Sequence, residues 1–168
     1  MTHRQLEFPI LGLARSVGAN ALEGVEQLEW FYDDETFSTC SLWNLKRRAR
    51  EGMLLVDVTG KSWRVVRVTD IGPRGKSWKR VLRIIFRGDR RVRHDLVEED
   101  SPPFAAVMER VCGSIQANPD HWRDDEAIAG EDGPLRIEQE MLDEQLERVR
   151  RATNMRELID ALQYNLMN

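Results

Sequence analysis

The hydrophobic rhythm of this chain changes once, near Ser101, and that change limits the folds open to it. Before it, apolar residues fall in short β-branched or aromatic runs separated by Gly, Asp and Pro: Leu28–Tyr32, Met53–Val58, Trp63–Val68, Trp78–Phe86 and Arg91–Val97. Short runs of this kind, bounded by turn formers, read as strands. After it, Phe104, Val107, Met108, Val111 and Ile115 recur at helical spacing, as do Leu135, Leu142, Leu146 and Val149, and then Leu158, Leu162 and Leu166. Strands first and helices after predict an α+β fold, an antiparallel β-meander packed by C-terminal α-helices. The 168 residues are read as one domain, strand-rich over 1–97 and helical over 101–168.

Punctuation refines the boundaries. A short helix is expected from Cys40 or Ser41 to Ala49, closed by Gly52. Gly60-Lys61-Ser62-Trp63-Arg64 is echoed by Gly75-Lys76-Ser77-Trp78-Lys79, each leading into a strand, with a turn at Ile71-Gly72-Pro73-Arg74 between them. Ser101 is the expected N-cap of the first long helix, with Pro102 at its first position. Asn154 and Glu157 have capping-box spacing, and Glu144–Arg148 and Glu147–Arg151 are i,i+4 pairs in the favourable order.

Charge is sorted along the same axis. Residues 1–45 hold two Lys/Arg against seven Asp/Glu (−5), residues 46–93 sixteen against four (+12), and residues 94–168 seven against eighteen (−11). A chain of net charge −4 therefore carries a strongly basic centre between acidic ends. Either the ends cover the centre or opposite faces are offered to partners. Two surfaces stand out. Trp122 and Ile128 lie among Asp124, Asp125, Glu126, Glu131 and Asp132, an acidic segment with an aromatic anchor suited to a basic protein partner. Alternation along the central strands also predicts a sheet face with Arg67, Arg83 and Arg87, to which Trp63 could add a stacking ring; that is the pattern of a nucleic-acid platform.

Catalytic signatures fail on inspection. Gly72-Pro73-Arg74-Gly75-Lys76-Ser77 has the wrong glycine spacing for a phosphate loop, and Pro73 offers no N–H. His3, His94 and His121 are scattered, and Cys40 and Cys112 are single, so neither metal-ligand spacing nor a nucleophile–base pair is present in the sequence. Asp57 and Asp70 close strands and read as turn residues. The two cysteines are expected as free thiols, and no apolar run reaches the roughly 20 residues of a membrane span. The expectation is a cytoplasmic protein with no cofactor, no metal and no reaction of its own.

One stretch carries a resemblance. Trp30-Phe31-Tyr32, Thr39-Cys40, Leu45-Lys46 before Gly52, Leu54-Val56-Asp57, Gly60, Trp63 and Val65 form an ordered pattern that resembles small bacterial proteins of the toxin-immunity kind, over about a quarter of the chain. The resemblance implies stoichiometric binding to one cognate toxin. It carries no catalytic residues over, and the partner surface expected here is the one built on Trp122, Asp124, Asp125, Glu126, Glu131 and Asp132.

Overall fold

The computed structural model describes residues 6–15, 26–73, 89–117 and 134–163. Six strands, β1 (Ile10–Arg15), β2 (Glu26–Phe31), β3 (Thr39–Ser41), β4 (Leu54–Asp57), β5 (Ser62–Pro73) and β6 (Asp89–Glu99), form one antiparallel sheet in the order β2-β1-β4-β5-β6-β3. Two short helices, α1 (Asp34–Phe37) and α2 (Leu42–Lys46), lie among the strands, and α3 (Phe104–Ala117), α4 (Pro134–Arg151) and α5 (Met155–Gln163) follow them. The α+β class with an antiparallel sheet and C-terminal helices is therefore correct.

β1 escapes the sequence reading because its run, Ile10-Leu11-Gly12-Leu13-Ala14, has no polar alternation. It is buried on both faces. Leu11 and Leu13 join Leu28, Leu54 and Val56 beneath the helices, where Val107, Val111, Ile115, Leu146, Val149, Leu158, Ile159 and Leu162 complete one core. Ile10 and Ala14 face the other way, into a second core with Phe31, Phe37, Met53, Leu55, Trp63, Val65 and Leu96. A Cβ on Gly12 would meet the Met53 sulfur at 2.6 Å and the Phe31 ring at 3.3 Å, so glycine at this position is what lets those side chains close over β1.

The second core exists because the sheet curls. β2 and β3 stand at opposite ends of a six-stranded order, yet only residues 32–38 separate them in the chain. Laid flat, six strands would part the two edges by roughly 24 Å. Instead a single guanidinium spans both. Arg50 donates from Nε to the Glu29 carboxylate on β2 at 2.9 Å, and from Nη1 to the carbonyls of Phe37 at 3.0 Å and Thr39, on β3, at 2.9 Å. Its plane also lies 4.7 Å from the centre of the Phe31 ring. Behind it, Phe37 packs edge-on to Phe31 (5.1 Å between centroids) and stacks on His94 (4.1 Å, 22°), and His94 is only 1% exposed on the inward side of β6.

Several expected boundaries move, each for a local reason. The helix foreseen from Cys40 or Ser41 to Ala49 is only Leu42–Lys46, because Arg48 takes a left-handed conformation (φ 53°) that ends it. Gly52 (φ 83°) then serves the turn into β4, its N–H bonding the Val65 carbonyl. No turn forms over Ile71-Gly72-Pro73; β5 runs through it, with Gly72 at φ 121° absorbing an irregularity. The first long helix starts at Phe104, not Pro102, since a residue before proline is steered out of the helical region and both Ser101 and Pro102 precede one. The strand expected at Trp78–Phe86 and the residue Leu166 lie outside the described residues.

Other expectations hold in detail. Asn154 Oδ1 accepts the Glu157 N–H at 3.0 Å, while the Glu157 carboxylate reaches one residue further back than a standard box, to the N–H and hydroxyl of Thr153. Arg148–Glu144 and Arg151–Glu147 both close at 2.5 Å. The helical layer is tied to the sheet by Arg110, paired with Glu26, and by the Ser114 hydroxyl, which donates to the Glu26 carbonyl.

Arg50→Met is expected to cost about 2–4 kcal/mol, since it leaves the Glu29 carboxylate half-buried and two carbonyls without their donor. Phe37→Ala is expected to cost about 3–5 kcal/mol through the cavity it opens. Equilibrium urea unfolding measures both; a loss under about 1 kcal/mol for Arg50→Met would show that the sheet edges stay together without it.

Candidate binding surface

β5 and β6 form a long two-stranded ribbon that carries five arginines, Arg64, Arg67, Arg90, Arg91 and Arg93. Much of this charge is neutralised within the ribbon. Arg64 makes a bidentate pair with Glu99 across the two strands, Nε at 2.5 Å and Nη2 at 2.7 Å, and donates a third bond to the Gly52 carbonyl. Arg90 binds both oxygens of Asp70, whose Oδ1 also accepts the Gly72 N–H. The hydrogen-bonded Arg90 guanidinium holds the Asp70 carboxyl below its ordinary range, and Arg64 does the same for Glu99.

Register decides what remains. Val65 pairs with Leu96 and Arg67 with Asp95, so Val66 is an extra residue on β5; a second irregularity between Asp70 and Gly72 makes Ile71 another. A bulge re-aims side chains by inserting one residue against the partner strand. Strict alternation would put Trp63, Val65 and Arg67 on one face. The bulge at Val66 breaks it: Trp63 and Val65 stay in the inner core, at 3% and 0% exposure, while Arg67 turns outward. Val66 and Ile71, the two extra residues, are 56% and 54% exposed, and Val97 on β6 is 55% exposed. Arg91 and Arg93 share the outward side of β6 with Asp95 and Val97, and all but the half-buried Asp95 are exposed.

The outer face of the ribbon thus combines three large aliphatic side chains with Arg67, Arg91 and Arg93. Arg93 has one distant carboxylate, Asp95 at 3.8 Å; among the described residues Arg67 and Arg91 form no ion pair. The C-terminal helices leave this face uncovered, because their apolar stripes pack on β1, β2 and β4.

The remaining sequence-predicted residues divide into two groups. Trp122, Asp124, Asp125, Glu126, Glu131 and Asp132, with Arg83 and Arg87, lie outside the described residues. Trp63 is overturned as a stacking residue, since an indole enclosed in the inner core presents no ring to a base. Val66, Ile71 and Val97 were missed as surface residues. The only signal in the sequence is one residue too many for clean alternation between Trp63 and Val68, which becomes readable once β6 fixes the register.

The described His, Asp and Cys residues serve the fold. His94 points into the inner core and Asp95 outward, as neighbours on a strand must. Asp57 is fully buried, its Oδ1 accepting the Thr59 N–H (2.9 Å), the Thr59 hydroxyl (2.6 Å) and the Lys61 N–H (3.0 Å), which is the work of a turn residue. Cys40 and Cys112 are not joined in a disulfide, and burial raises the Cys112 pKa against the opposing pull of Arg150. Among the described residues no group of three or more His, Cys, Asp or Glu is placed to hold a metal, and no helix is long and apolar enough to cross a membrane. Compared with known proteins, the chain matches no family model, no curated protein and no solved structure.

The two cross-ribbon pairs set a pH dependence. Because Asp70 and Glu99 ionise more readily folded than unfolded, their contribution is present above the ordinary carboxylate range and lost as pH falls through their lowered folded values. Glu99→Gln combined with Asp70→Asn is expected to flatten the acid limb of stability against pH, followed by urea midpoints between about pH 6 and pH 3. An unchanged slope would show that other carboxylates govern acid unfolding.

Proposed function

We propose that this protein is a non-catalytic protein-binding protein, an immunity-type inhibitor that neutralises a cognate bacterial toxin by stoichiometric docking. The observation that supports this is the outer face of β5–β6, where two bulges and one strand position turn Val66, Ile71 and Val97 out of the fold. Exposed aliphatic side chains aid association, so Val66 and Val97 towards one end of the ribbon and Ile71 towards the other, all on one exposed face, read as a docking surface. Arginine mixed with exposed apolar side chains is a composition that protein interfaces favour. A nucleic-acid role has less support once Trp63 is enclosed, because the described outer face then carries cations without a stacking ring.

The test uses the product of the neighbouring reading frame in the genome, expressed alone and with this chain. Growth arrest by that product, relieved by co-expression, and an equimolar complex by light scattering are the expected results. Val66→Asp with Val97→Asp should weaken the complex by about a hundredfold or more while leaving the unfolding midpoint unchanged. Relief by far less than equimolar protein would point to an enzyme. Neither arrest nor complex would overturn the immunity reading.

A further inference from the structure

We infer that the partner surface recognised by the outer β5–β6 face is acidic with apolar side chains to either side, and that Arg67, Arg91 and Arg93 read it. This rests on the docking role proposed above and adds the chemistry of the partner.

The argument starts from which cations are committed. Arg50, Arg64 and Arg90 each hold a carboxylate at hydrogen-bond distance. Those charges are spoken for by the fold. On the outer face Arg67, Arg91 and Arg93 stand against one carboxylate, Asp95, at 3.8 Å from Arg93. The face is thus locally cationic on a chain whose total charge is −4. Register spreads the three cations along the ribbon: Arg67 lies opposite Asp95, Arg93 opposite Thr69, and Arg91 opposite Gly72. Val66 and Ile71 sit beside this row at the two bulges, and Val97 lies one outward position beyond Asp95. A phosphodiester strand would use the cations but gain little from three aliphatic side chains. An acidic protein surface that also carries apolar side chains uses both. Acid-to-arginine complementarity speeds encounter and sets orientation, and the flanking aliphatic side chains supply the burial that holds the complex.

Two probes separate these terms: poly-L-glutamate and a random copolymer of glutamate and tyrosine, with an oligothymidylate as the phosphate control. Fluorescence anisotropy should show the full-length chain binding the copolymer several-fold more tightly than poly-L-glutamate. Binding to the copolymer should fall about tenfold or more between about 20 and 200 mM salt. Arg67→Gln, Arg91→Gln and Arg93→Gln together should lower affinity for both polymers about tenfold, and Val66→Ser with Val97→Ser should remove only the copolymer's advantage. Amide shift mapping on the wild-type chain gives a readout free of any folding defect, and shifts are expected to cluster at residues 64–72 and 91–97.

Absence of copolymer binding at low salt would overturn the inference, as would shifts confined to other residues or oligothymidylate binding more tightly at the same amides. Failure of the neighbouring-frame complex with copolymer binding intact would sink the immunity reading alone. A toxin complex that depends on Val66 and Val97 but ignores the arginine variants would sink this inference alone.

Discussion

The clasp made by Arg50 is the interaction on which the rest of the architecture depends. The guanidinium of Arg50, a residue 9% exposed, would be costly to bury unpaired, and here one carboxylate, two carbonyls and an aromatic face satisfy it. Its geometry brings together the two edges of a six-stranded sheet, β2 and β3. Curling follows, and with curling comes the inner core: Phe37 and Trp63 have an interior to occupy only because the sheet wraps round it. An Arg is needed for this and a Lys would not serve, since the fork of donors must address three acceptors in different directions.

The same curvature links fold to surface. A curled sheet accommodates bulges, because extra residues on one strand let it bend while its partner stays continuous. Both irregularities of β5 fall on its pairing with β6, and both place a β-branched residue in solvent. The exposed aliphatic row is therefore a by-product of making a barrel-like core, available for recognition with no further change in backbone. The uncommitted arginines lie beside that row, while those nearer the ribbon ends are tied up in Arg64–Glu99 and Arg90–Asp70.

Much of the architecture was legible in the residues. Stripes such as Val107, Val111 and Ile115 named the helices, and the pairs Glu144–Arg148 and Glu147–Arg151 formed as their spacing foretold. These are contacts within one element, where position along the chain fixes position in space. The candidate surface was half legible. A sheet face mixing arginine with β-branched residues was foreseen, and Arg67 belongs to it. Trp63 was assigned to the wrong side, because alternation is reliable only until an extra residue enters the strand. β1 went unread, because a strand buried on both faces shows no alternation at all.

The sequence by itself determined the class of fold, the helical stripes, the Asn154 cap and the segregation of charge, since each depends on periodicity or on neighbours a few residues apart. Only the tertiary structure decided which arginines remain uncommitted, which way Trp63, Val66 and Arg67 point, and that Arg50 joins two strand edges. Those outcomes depend on cross-strand register and on curvature, which bring together residues such as Glu29 and Arg50 or Arg64 and Glu99 that are far apart in the chain. A one-residue slip in register inverts every face, so no local pattern can carry that information.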